Sequence, residues 1–429
     1  MTALLPIADA IPDPSPWMVL PFVTMLLCIA LLPFFLKHHW ERHYHKISVG
    51  LGLIAVVYYI FGLHAPQRMV SVAGDYASFM IVIGSLFVVS GGIHIRVKGE
   101  AKPWVNSVYL LIGAALGSVI GTTGASMLMV RPWVRMNKYR FTGLHLAFFI
   151  FIVSNAGGAL TPVGPPLFLG YLKGVPFWWG VQRCWGPWAA TMGMLMAVFY
   201  FLDRVNFLKA PRQLREMQTA SEEWKFDGTV NFALMLVVLA AIIFVPAPWR
   251  ELLLVAASVA SVFITPKLIH EMNDFTFAPI KEVGWLFLGI FATMVPVLDY
   301  MELHAGALGL HNDVQFYWFA GLLSGVLDNA PTYLTFFAAA LGLHGFSLDN
   351  KGDVAAFLSQ HDHTLVALSL GATFFGALTY IGNGPNLMVK AIAEHANVKT
   401  PSFFGYFAKF AAPILLPIFT IITLLFFRQ

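Results

Sequence analysis

Charge is what this sequence has least of. Only 11% of its 429 residues are Asp, Glu, Lys or Arg, against 58% hydrophobic. A soluble domain carries about 25% charged residues. Half that amount leaves too little polar surface to solvate a globule of this length, which excludes an ordinary soluble protein. Cysteine is nearly absent as well. Cys28 and Cys184 sit inside apolar stretches with no metal or redox spacing, and read as small core residues. The first sixteen residues, MTALLPIADAIPDPSP, lack the basic stretch of a usual signal peptide and read as a short external tail.

What is present in quantity is long apolar sequence. Runs over residues 17–36, 79–92, 226–245 and 414–427 approach the roughly 20 residues that cross a bilayer. Aromatic residues make up 15% of the chain, with 12 Trp and 13 Tyr, as interfacial belts require. The fold class expected is an all-α polytopic membrane protein, with about ten transmembrane helices and two re-entrant hairpins.

The first half reads as spans 17–36, 47–63 and 75–95, a split pair 105–120 and 122–134, an interrupted segment 141–172 and a span 181–202. A charged linker, 203–227, follows. The second half reads as spans 228–246, 250–266 and 282–299, a split pair 314–327 and 330–343, an interrupted segment 363–395 and a last span 404–427. The pieces of each split pair are too short to cross alone, so each pair reads as a hairpin that enters and leaves on one face.

Charge sorts with this topology. With the loop Lys37–Lys46 inside, about 20 of the 26 basic residues fall inside. Arg68, Lys173, Arg183, Arg250, Lys351 and Arg428 fall outside. The basic loops thus report orientation and not nucleic-acid binding. Both termini are expected on the periplasmic side of a bacterial inner membrane. The same element order, started outside in residues 1–202 and inside in 228–429, is an inverted-topology repeat.

Four places interrupt the apolar segments, each with amide or hydroxyl side chains beside Gly or Pro. They are Thr122 and Thr123; Ser154, Asn155, Gly157, Gly158 and Thr161; Asp328, Asn329 and Thr332; and Asn383, Gly384 and Asn386. Gly and Pro break the helical ladder. Freed carbonyls and neutral side-chain oxygens suit sodium, and half-helix N-termini suit an anion. A single break is more often a kink or a packing glycine. Four matched breaks point to one site near the midplane. Asp328 is the clearest carboxylate within a membrane element, and a charge there is costly enough to imply function. It binds sodium or carries a proton on this reading, and it also suits the N-cap of the half-helix holding Pro331. Asp299 reads as interfacial, and Asp203, Glu282 and Glu394 as solvated ends. His38, His39, His43 and His45 read as a wet loop or pH-sensing face.

The segment Ser154-Asn-Ala-Gly-Gly-Ala-Leu-Thr-Pro-Val-Gly164 resembles the signature of NhaD-type sodium/proton antiporters. Those belong to the ion-transporter superfamily that also holds arsenite, citrate and divalent-anion carriers. Leu327-Asp-Asn-Ala-Pro331 resembles the Asp-Asn hairpin motif of the same group. The resemblance implies an elevator-like carrier, usually a homodimer, in the lipid bilayer. It also implies sodium held at Ser154, Asn155, Asp328 and Asn329. Where such antiporters carry further acids, this chain has Gly121-Thr-Thr-Gly124 and Gly164-Pro-Pro166, closer to the carboxylate-carrier branch. The function expected is sodium/proton antiport with Asp328 as proton carrier; the alternative is sodium-coupled uptake of a di- or tricarboxylate. No catalytic constellation converges at either face, so no enzyme is expected, and no cofactor beyond the sodium ion.

Overall fold

A computed structural model describes residues 11–96, 102–209, 225–273, 275–396 and 398–428. Of the linker expected at 203–227, residues 210–224 lie outside the described residues.

The first half runs α1 (Leu20–Phe35), α2 (Lys37–Val57), α3 (Pro66–Gly91), α4 (Pro103–Met136), α5 (Gly143–Ile152), α6 (Pro165–Lys173) and α7 (Trp179–Lys209). The second runs α8 (Thr229–Phe244), α9 (Trp249–Ile264), the short α10 (Lys267–Met272) and α11 (Ala278–Leu303). It continues with α12 (Asp313–Ser324), α13 (Asn329–Leu343), α14 (Lys351–Gln360), α15 (Asp362–Phe375), α16 (Gly384–His395), α17 (Phe403–Tyr406) and α18 (Ala412–Ile422). One small ribbon pairs β1 (His94–Arg96) with β2 (Lys225–Asp227), tying the halves together. The protein is an all-α polytopic membrane protein. Among the described residues seven helices are long and apolar enough to cross a bilayer. α8 and α9, at 16 residues each, fall short of the roughly 20 that span one upright.

α4 doubles back on itself. Gly121 breaks it with φ +75°, a conformation that costs any L side chain and that glycine adopts freely. An added Cβ there would lie 3.0 Å from the Val163 carbonyl. The limbs then run side by side. Tyr109 donates to the Met129 carbonyl at 2.8 Å and stacks on Trp133, and Asn106 donates to Asn137 at 2.8 Å. The second hairpin is α12 and α13, whose Phe316 and Phe336 rings meet at 6.5 Å. Asp328 starts α13 by accepting from the Ala330 amide at 3.0 Å, so the N-cap read from the sequence is present.

The hairpins enter from opposite ends. α3, 26 residues or about 39 Å long, gives the ruler. Its start, Arg68, reaches Asp349 just beyond α13. Its end, Phe87 and Ser90, shares a cavity with Met127 and Arg131 of the returning α4 limb. The open end of the first hairpin therefore lies at a basic end, and that of the second at an ion-paired end.

Two expectations need correction. Lys37–Lys46 is not a loop but the first turns of α2, where His39 and His43 stack at 4.4 Å. Helix continues there because no Gly or Pro interrupts it. No third metal-binding side chain joins them among the described residues. Asp203 is not solvated. α7 runs past it to Lys209, and Asp203 is fully buried beneath Arg140, His145 and Asn106. Asp299 lies one turn before the end of α11, at the ion-paired end, yet it does not face water. It is fully buried, clasped by Arg68 and accepting from the Tyr59 hydroxyl at 2.7 Å. A buried carboxylate needs such partners to stay ionised.

Candidate ion and substrate site

The two unwound segments cross at the centre. α5 stops at Ile152 and α6 starts at Pro165; α15 stops at Phe375 and α16 starts at Gly384. Between them the amides interlock. Asn155 donates through Nδ2 to Asn386 Oδ1 at 2.9 Å and to the Ile150 carbonyl at 2.8 Å. Asn383 donates to Asn155 Oδ1 at 3.1 Å and to the Ser154 carbonyl at 2.8 Å. Asn386 donates to the Gly376 and Thr379 carbonyls at 2.8 and 3.0 Å. The carbonyls freed by breaking each helix are thus satisfied by asparagines, as buried backbone requires.

Gly157 shows why the first break lacks side chains. A Cβ there would lie 2.7 Å from Ala114 Cα, inside the first limb of α4. Thr161 and Ser118 complete the seam: Thr161 donates to the Ser118 carbonyl and Ser118 to that of Gly157. Ser154 shares a hydrogen bond with Ser126 at 2.8 Å.

In front of this seam is a cavity of about 50 Å³. Thr123, Pro165, Asp328, Asn383, Gly384 and Pro385 face it from one side; Ile83 and Phe87 of α3 and Phe287 of α11 close it on the other. It has room for an ion with a few waters. Four helix starts open onto it: the second limb of α4 after Gly121, α6, α13 and α16. Each carries about half a positive charge from its unpaired amides. Among the described residues the single carboxylate lining the cavity is that of Asp328.

Two buried oxygens beside the cavity residues have no hydrogen-bond partner, Thr122 Oγ1 and Asn329 Oδ1. They sit at matching places, one at each hairpin tip. Leaving such an atom unpaired costs about 1–3 kcal/mol. Thr332 donates back to the Asp328 carbonyl at 2.9 Å and acts within its own helix.

The site residues read from the sequence therefore separate by position. Thr123, Asp328, Asn383 and Gly384 line the cavity. Thr122 and Asn329 lie at the tips with unmet oxygens. Ser154, Asn155, Gly157, Gly158, Thr161 and Asn386 form the seam behind, and are buried. What sequence reasoning missed is the opposite wall. Ile83, Phe87 and Phe287 are apolar residues in ordinary spans, and nothing in their spacing distinguishes them.

The deep cavity shares Pro279 and Met388 with a larger basic cavity at one end of the molecule. It shares no lining residue with the cavity beside Arg68 and Asp349 at the other end.

A family model described as "Putative citrate transport" matches residues 13–427, almost the whole chain. No curated protein matches it. The chain therefore belongs to this citrate-transport family, membrane transporters of the ion-transporter and citrate–divalent-anion symporter type.

Proposed function

We propose that the protein is a sodium-coupled carrier of a di- or tricarboxylate anion. One observation carries the reading: four helix N-termini converge on a cavity lined by one carboxylate. Fixed positive dipole ends in a membrane interior stabilise an anion and disfavour a site built for cations alone. The family match supports the same substrate class. Thr122, Asn329 and Asp328 supply oxygens for the coupling sodium, whose charge offsets part of the anion's.

In this reading residues 1–202 and 228–429 are inverted repeats. The hairpins and broken helices move together against the apolar wall of α3 and α11. Alternating access then follows from sliding the site between the two ends. At about 50 Å³ the cavity is too small for citrate, so the hairpin tips must part for substrate to bind. The basic end faces the cytoplasm of a bacterial inner membrane by the charge rule, and both termini lie outside. A homodimer is the assembly proposed.

Sodium/proton antiport is the second reading, favoured by the half-buried Asp328 at the tip. Proteoliposomes separate the two. With a sodium gradient, labelled citrate or succinate should accumulate, and an internal pH dye should stay flat without them. A sodium-driven pH change with no carboxylate uptake would replace the first reading by the second.

A further inference from the structure

The basic cavity next to the site has chemistry of its own. It measures about 620 Å³, inside the range of about 300–1,000 Å³ that holds small molecules. Arg131, Arg135 and Lys138 line it from the first hairpin's exit, and His395 from the end of α16. Among the described residues no Asp or Glu lines it. Among the described residues no ion pair engages Arg135, Lys138 or His395. Charge sorting across a membrane places basic residues on one face, but it does not require them to converge on one concavity.

We propose that this cavity is a docking site for polycarboxylate anions, distinct from the hairpin-tip site and on its cytoplasmic side, where it holds the anion between that site and the cytoplasm. The substrate class rests on the carboxylate-carrier reading; the site itself rests on the cavity. Low-dielectric walls lined by one sign of charge focus the field and concentrate counter-ions. Arginine forks match carboxylates in bidentate geometry, and a di- or tricarboxylate offers two or three such partners. The deep cavity admits only an ion and a few waters, whereas the basic cavity accommodates a six-carbon acid. The two meet at Pro279 and Met388, so a docked anion stands next to the deep site.

A thiol in the wall tests this. Ala391 lines the cavity and is exposed, and the native thiols are half-buried Cys28 and buried Cys184. Ala391→Cys in a Cys28→Ala background is labelled with N-ethylmaleimide in nanodiscs, in sodium-free choline buffer. Citrate at about four times its Kd should slow labelling about fivefold relative to choline chloride of equal ionic strength. Arg135→Gln with Lys138→Gln should abolish that protection, and Asp328→Asn should retain it. Equal rates in citrate and chloride overturn the docking site. So does protection that survives the Arg135/Lys138 change, or protection that Asp328→Asn removes. Protection in a protein that moves no carboxylate sinks the carrier reading and leaves the docking site standing. Transport without protection does the reverse.

Discussion

Asn155 and Asn386, 231 residues apart, join the two broken helices by a buried hydrogen bond of 2.9 Å. Through it the unwound segment of one half is held against that of the other. Asn386 also donates to two carbonyls that its own helix break leaves open. Asn386→Ala should therefore lower stability by about 1–3 kcal/mol, the cost of buried groups left unpaired. Uptake in proteoliposomes should fall in parallel. Unchanged melting of the purified variant would show that water replaces the amide, and that the seam does not depend on it.

Asp328→Asn separates charge from capping. Asparagine accepts from the Ala330 amide as aspartate does, so α13 keeps its N-cap and melting should change by less than about 0.5 kcal/mol. The half-saturating sodium concentration for uptake should rise about tenfold or more, a loss of about 1.4 kcal/mol in binding. Wild-type sodium dependence in this variant would exclude Asp328 from the ion site.

Thr122→Val replaces an unpartnered buried hydroxyl by a methyl of similar shape. Without sodium the variant should be as stable as wild type or more so, because an unmet polar atom is removed. With saturating sodium it should gain less stability than wild type. Measuring melting at both sodium levels checks the sign of each. Identical sodium stabilisation would place the ion elsewhere.

Asp203 and Arg140 form a buried pair, with His145 3.0 Å from the same carboxylate. Asp203→Asn should cost about 3–5 kcal/mol, since it removes the charge from a buried carboxylate that both Arg140 and His145 engage. Asp203→Leu with Arg140→Met should recover most of that, because replacing both charges removes both desolvation costs. Yield of folded protein and melting temperature report both. A double variant as unstable as the single would mean that Asn106 and His145 need the carboxylate independently.

At the other end, Asp349 lies in a loop outside the spans. It bonds Lys173 of α6 at 2.8 Å and also pairs with Arg68 of α3. Burial pushes its carboxyl up, but the charges of Lys173 and Arg68 outweigh burial and hold it below the ordinary value. A lowered folded value means that the contact stabilises fully above the unfolded value of about 3.9. That contribution is lost as pH falls through the lowered value. The stability gap between wild type and Asp349→Asn should thus be constant from about pH 8 to 5 and close only below about pH 4. A gap that closes near neutrality would point to a different group.

Much of this was legible in the linear chain. Bilayer thickness imposes a minimum apolar length, so the scarcity of charge and the long runs required a polytopic helical protein. Helix breakers mark themselves locally. Gly121 ends the first limb because only glycine adopts its φ without strain, and Asp328 caps α13 where Asp-Asn-Ala-Pro announced a helix start. The resemblance of Ser154–Gly164 and Leu327–Pro331 placed the chain in a superfamily of carriers, and left open which ion or acid it carries. Tertiary structure alone decided which members of each motif face the cavity and which hold the seam. That choice depends on pairings such as Asn155 with Asn386, which no local spacing encodes. It also decided the fate of the buried charges. Asp203 and Asp299 stand near helix ends in the sequence, where water is the default partner. Folding brings Arg140 and Arg68 over them from elsewhere in the chain, and that is what lets each carboxylate stay inside.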